Sequence, residues 1–171
     1  LANRERVIVR LKGGDPFIFG RGSEEALHLR RHGIPYVVVP GVTAAAAASA
    51  YAGIPLTHRS LSRGVRMVTG HLCEGETLDL DWERLADPSA TLVVYMGLAN
   101  LPLIVERLLA AGRGADTPAA AVQEGSTQRQ RVVRSTLGQL PVVVKSAHLV
   151  APVTIIIGET VALADDLTWF K

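Results

Sequence analysis

Val7-Ile-Val-Arg-Leu-Lys-Gly-Gly-Asp-Pro-Phe-Ile-Phe-Gly-Arg-Gly22 is the stretch on which the reading of the fold turns. Val7-Ile8-Val9 and Leu11 form a short apolar run that passes directly into the turn Gly13-Gly14-Asp15-Pro16. Strands feeding such turns usually lie inside a parallel sheet covered on both faces, and open α/β sheets bind ligands beyond the carboxyl ends of their strands. Glycines at that position let backbone amides come close to a ligand. The turn is neither a G-x-G-x-x-G dinucleotide fingerprint nor a P-loop, since G-K-[ST] is absent. A carboxylate in it, Asp15, argues against a phosphate cradle and for a ligand with hydroxyls or an amine. A parallel strand needs neighbours, and nothing before Leu1-Ala2-Asn3 supplies them. The chain therefore reads as the later part of a larger protein.

Outward from this turn, Ser23-Glu24-Glu25 predicts a helix with Ser23 as N-cap and two carboxylates at its positive end. Gly33 is its expected C′ residue. Tyr36–Val39 predicts a second short strand, ended by Pro40-Gly41. Thr43 opens a run of small residues, Ala44–Ala48, continuing to Gly53, against which a backbone or a ligand could lie. Beyond a hinge placed near Pro40–Thr57, Val65–Thr69, Thr91–Tyr95, Ala119–Gln123 and Val153–Ile157 predict strands. Arg131-Val132-Val133 alternates like an exposed antiparallel strand. Asn100–Ala111 predicts a helix with Asn100 as N-cap, Pro102 in its first turn and Gly112 at its end. Strands and helices in alternation argue α/β architecture with some antiparallel pairing.

Composition excludes several classes. The 171 residues are 48% hydrophobic and 20% charged. A chain this long buries roughly 70% of its unfolded surface and needs no metal or disulfide staple. Disorder does not fit this apolar content. The apolar stretches at Thr43–Leu56 and Leu149–Ile157 are too short for a membrane span, and no secretory signal opens the chain. One cysteine, Cys73, forms no internal disulfide and fits a cytoplasmic location. Fifteen of the eighteen cations are Arg, which reflects either codon bias or a need for two-pronged bonds to carboxylates. A net charge of +2 and the absence of RNA-recognition or zinc-finger signatures argue against nucleic acid. His28 and His32 stand at i, i+4 without H-E-x-x-H, so no metal site is expected. Cys73 beside His71 shows no activating arrangement, and no G-x-S-x-G elbow exists.

The strings LKGGDPFIFGRG, VPGVTAA, SAYAGIPLTHR, VTGH and VYMGL, in this order and spacing, closely resemble the uroporphyrinogen-III C-methyltransferases, a branch of the tetrapyrrole methylases that also forms the C-terminal module of sirohaem synthases. The likeness runs from about Val7 to Phe170. It implies an α/β tetrapyrrole-methylase fold, with residues 1–40 a remnant of the first α/β domain and residues 41–171 the small-residue helix, hinge and complete second domain with a mixed sheet. It implies S-adenosyl-L-methionine in the cleft between domains, S-adenosyl-L-homocysteine as product, and a homodimer. By the same resemblance Gly13, Gly14, Asp15, Ile18, Thr43, Ala44, Met96, Ala120 and Gly125 bind the cofactor, with Asp15 facing a polar group of it. Arg21, Arg59, His71 and Met96 bind the substrate, uroporphyrinogen III and then precorrin-1, on the way to precorrin-2. Glu24, with Arg21, is assigned to catalysis as the base for the lost meso proton. The family's Gly-Pro-Gly-Asp loop and its N-terminal acidic and basic residues have no counterpart here. The 171 residues alone are thus expected to show little turnover and a sticky sheet edge, and the alternative is an inactive half that only binds cofactor or dimerises.

Overall fold

The computed structural model describes residues 7–71 and 78–170, so Cys73 lies outside the described residues. They divide between Ala44 and Ala45 into two compact units.

In the first unit the glycine-rich turn folds back on itself and leads into helix α1, Gly22–Arg31. The helix begins one residue before the expected cap. Gly22 donates its N–H to the Pro16 carbonyl at 2.9 Å, an approach so close that a Cβ there would stand 2.4 Å from that oxygen. Arg21 takes the N-cap position in a left-handed conformation, φ 55°, with no side-chain cap. The Ser23 hydroxyl bonds Glu24 instead, at 3.2 Å. The far end follows expectation. Gly33, at φ 67°, donates to the Arg30 carbonyl and Ile34 to that of Leu29, which closes the last turn.

Residues 7–11 and 36–39, expected as strands, form no regular secondary structure and pair with none of the described residues in a ladder. Val7 is 94% and Val37 88% exposed. An apolar pattern predicts an extended chain, but a strand exists only with a ladder partner, and none of the described residues supplies one.

The second unit holds helix α2, Ala44–Tyr51, from Ala45 on. Strand β1, Gly64–Thr69, short helix α3, Trp82–Leu85, and strand β2, Ala90–Tyr95, follow. Helix α4, Leu101–Ala110, leads to β3, Pro118–Gln123, and β4, Arg131–Thr136. Helix α5, Leu140–Ser146, and β5, Val153–Ile157, come next. A 3-10 turn, Glu159–Leu163, and helix α6, Ala164–Leu167, follow β5. Asn100 sits at the N-cap of α4, but its side chain does not cap that helix. Its Nδ2 donates to the Gly70 carbonyl at 2.7 Å, tying α4 to the end of β1.

The sheet order is β1-β2-β5-β3-β4. β1 and β2 are parallel, while β5 runs antiparallel to both β2 and β3. β3 therefore points the same way as β1 and β2, and the carboxyl ends of all three share one edge. β4 pairs antiparallel on the outside of β3, as expected, with none of its residues buried. Leu92, Val94, Ala121, Ile155 and Ile157 pack with α4 and α5 on one face. On the other, Ala120, Val122 and Ile156 pack with Ala48 of α2 and with Ala52 just beyond it, and Val93 and Tyr95 with Ala45. Alanines are what allow α2 to lie this close.

An ionic lock holds the region where β1 and β2 begin. Arg66 Nη2 bonds Asp87 Oδ2 at 2.7 Å, and Arg113, only 3% exposed, donates Nη1 to the Asp87 carbonyl. Hydrogen bonds from the Ser89 hydroxyl and N–H, then the charges of Arg66 and Arg113, hold the Asp87 carboxyl below its ordinary value of 3.8. A depressed carboxylate contributes stability that is present above the unfolded value and lost as pH falls through the folded one. The melting temperature is expected to drop on acidification below about pH 4, and Asp87→Asn to flatten that drop. An acid limb of the same steepness in the variant would exclude Asp87 as its source.

Candidate active site

The loop of residues 12–22 is a knot of short-range bonds. Lys12 Nζ donates to the Gly20 carbonyl at 2.6 Å and to Glu25 Oε1 at 2.9 Å, so one half-buried ammonium joins the end of the loop to α1. Phe19 and Arg21 flank Gly20 with positive φ, a conformation that costs a non-glycine residue free energy and concentrates at functional sites.

Asp15 organises the rest. Its Oδ1 accepts from Phe17 N–H at 2.8 Å, and its Oδ2 from Gly41 N–H at 3.1 Å. Both carboxylate oxygens thus serve the backbone, where the sequence suggested a ligand group as partner. The bond to Gly41 draws the loop after residue 39 against the glycine turn. A Cβ on Gly41 would stand 2.3 Å from the Gly14 carbonyl. Gly14 itself needs φ 84°, and Gly13 opens onto empty space, with nothing within 4 Å of a Cβ. Gly13, Gly14, Asp15, Thr43 and Ala44 are therefore gathered in one region, with Ile18 exposed on the neighbouring turn.

Arg21 and Glu24 form an exposed pair, Nε to Oε1 at 3.4 Å. The Glu24 carboxyl lies below its ordinary range, held there first by its own backbone N–H and then by Ser23 and Arg21. It is thus ionised at neutral pH and able to accept a proton, though as a weaker base than a free glutamate.

In the second unit, His71, Met96 and Gly125 each follow the carboxyl end of a strand, β1, β2 and β3 respectively. Gly70 and Gly97 meet back to back, a Cβ on Gly70 falling 2.5 Å from Gly97 Cα. Met96 is 51% exposed and left-handed, with φ 52°. Glu124 and Ser126 are left-handed too, and between them Gly125 presses on α2, a Cβ falling 2.7 Å from the Ala48 methyl. Ala120 is completely buried beneath α2, with its backbone between β4 and β5. Arg59 is exposed at the tip of a turn closed by paired bonds between His58 and Ser62. It makes no ion pair with any described residue.

Two contributors at this edge escape a reading of the sequence. The Tyr95 hydroxyl accepts from Ala45 N–H at 3.0 Å, in the first turn of α2, and Gln130 reaches Tyr51 at the last. Both partners are about fifty or more residues away in sequence, so no local pattern announces them. Among the described residues no group of three or more His, Cys, Asp and Glu side chains could hold a metal ion, and no helix is long and apolar enough to cross a membrane.

The chain belongs to the tetrapyrrole (corrin/porphyrin) methylases, whose family model matches residues 1–141. Siroheme synthase from Pseudomonas fluorescens (strain SBW25) is 55% identical over all 171 residues. The chain spans 37% of the length of that relative. Uroporphyrin-III C-methyltransferase from Thermus thermophilus, solved in complex with S-adenyl homocysteine, is 42% identical with a TM-score of 0.78, over 95% of this chain and 70% of that one. The cobalamin biosynthetic enzyme cobalt precorrin-4 methyltransferase superposes with the same TM-score at 24% identity, covering 86% of this chain and 62% of that one, a likeness of fold.

Proposed function

We propose that this chain belongs to an S-adenosyl-L-methionine-dependent C-methyltransferase that converts uroporphyrinogen III through precorrin-1 to precorrin-2, for siroheme and cobalamin biosynthesis. The observation that carries the reading is the tethered Gly13–Asp15 turn with its open backbone face, in a chain 42% identical to a uroporphyrin-III methyltransferase solved with S-adenyl homocysteine. Gly13, Gly14, Thr43 and Ala44 offer backbone close to a polar ligand, and Ile18 an exposed apolar surface for an adenosyl group. Met96 and Gly125 contribute from the strand ends, and Ala120 by seating α2. S-adenosyl-L-methionine, when bound, supplies a methyl group on a sulfonium and leaves as S-adenosyl-L-homocysteine.

The chain's own residues bind and orient the macrocycle. Arg21 and Arg59, both exposed, suit its carboxylates, since a guanidinium grips a carboxylate with two parallel bonds. His71 and Met96 line the approach. Alignment supplies most of the rate in such a displacement, and a base removes the meso proton afterwards. Glu24 takes that role. Glu24→Gln in a turnover-competent preparation is expected to reduce kcat by about 10²-fold or more at unchanged cofactor affinity. Full turnover by the variant would remove Glu24 from the mechanism. Competing porphyrinogens in the same assay test the choice of substrate. A homodimer and a cytoplasmic location complete the proposal.

The exposed, unpaired residues 7–11 and 36–39 favour a second reading for these 171 residues taken alone: they bind cofactor and do not turn over. Rates matching a complete enzyme would overturn it.

A further inference from the structure

We infer that Gln130 is a positioning residue, a two-ended clamp that holds the strained Glu124–Ser126 loop against helix α2 and so shapes the cofactor site. Its Oε1 accepts from Ser126 N–H at 2.8 Å, and its Nε2 donates to the Tyr51 carbonyl at 3.1 Å. The orientation of the amide is not a free choice. A backbone N–H only donates and a carbonyl only accepts, so one orientation alone satisfies both partners.

The loop needs such a clamp. Glu124 and Ser126 hold φ of 45° and 66°, and conformations of that kind persist only where the surroundings over-determine them. Gly125, between them, sits against Ala48 with no room for a side chain. Glu124 is fixed from outside by Arg129, Nη2 to Oε2 at 2.7 Å, and by its N–H to the Pro152 carbonyl at 3.0 Å. Gln130 alone among these ties the loop to α2. Tyr51 carries the carbonyl that the clamp grips, and the Tyr51 ring is in turn covered by Trp169 and Phe170 at centroid distances of 5.0 and 4.8 Å. The grip is thus taken on a packed end of the helix. Releasing it lets Gly125 move away from Ala48, and with it the backbone proposed to meet the cofactor.

This inference rests on the proposed role of Gly125, and the experiment separates the two. Hydrogen exchange at residues 124–130 and titration with S-adenosyl-L-homocysteine are measured on the wild-type chain, Gln130→Ala and Gln130→Glu. Two lost hydrogen bonds are expected to weaken S-adenosyl-L-homocysteine binding by about tenfold in Gln130→Ala, with faster exchange at Ser126. Gln130→Glu keeps the acceptor for Ser126 and loses the donor to Tyr51, so it falls between. Unchanged exchange in Gln130→Ala overturns the clamp. Faster exchange with unchanged affinity overturns its bearing on the cofactor. A wild-type chain that binds no S-adenosyl-L-homocysteine overturns the cofactor reading itself, and the positioning role with it.

Discussion

Gly70→Ala is expected to lower the unfolding free energy by about 2–3 kcal/mol, seen as a lower urea midpoint at unchanged slope. The added methyl would stand 2.5 Å from Gly97 Cα and 2.9 Å from Ile104 Cδ1. Ile104 can rotate away. Gly97 has little freedom, because it lies two residues past the end of β2 against Val94, Ile104 and Ile155, and Gly70 is held in place by its N–H to the Tyr95 carbonyl at 2.7 Å and by Asn100 on its own carbonyl. Relief must come from parting the ends of β1 and β2, which also displaces His71 and Met96. Gly13→Ala is the control, with nothing near the new methyl. It is expected to leave the midpoint unchanged while weakening cofactor binding. A Gly70→Ala midpoint equal to wild type would show that the two strand ends are less closely packed than described.

Asp15→Ala is expected to weaken S-adenosyl-L-homocysteine binding by about ten- to a hundredfold, the loss of two hydrogen bonds to one charged acceptor. The effect is on the shape of the site. Without the carboxylate, Phe17 N–H and Gly41 N–H lose their acceptor, and the loop bearing Thr43 is no longer drawn against Gly14. Asp15→Asn distinguishes tether from ligand contact. The amide oxygen can still take one of the two N–H groups, so a pure tether predicts partial recovery. Affinity unchanged in Asp15→Ala would remove the turn from the cofactor site.

Much of this was legible in the amino-acid order. Val153–Ile157 and Thr91–Tyr95 are predominantly apolar, β-branched runs without alternation and became strands buried on both faces. Gly33 and Gly112 marked helix ends for the same local reason. Residues 7–11 and 36–39 carried the same apolar signal, yet a ladder depends on a neighbour that periodicity cannot reveal. Ser23 lost its capping role to a backbone contact with Pro16, and Asn100 turned its amide to Gly70. At the site, the motifs marked which residues matter but not how. That Asp15 holds backbone, that Tyr95 caps α2 and that Gln130 bridges to Tyr51 depend on pairings 26, 50 and 79 residues apart.

The place of β5 bears on how the protein is made. The central strand of the sheet is the last to be synthesised of the five described, and it alone joins β1-β2 to β3-β4. Until residue 157 has emerged, β1-β2 and β3-β4 cannot be joined into one sheet, and the edges that β5 covers lack its N–H and C=O groups. Those edges are templates for the wrong partner. The same groups that later receive Ile155 and Ile156 are thus without those partners until then. The five-stranded sheet of this unit can therefore close only after β5 has been made.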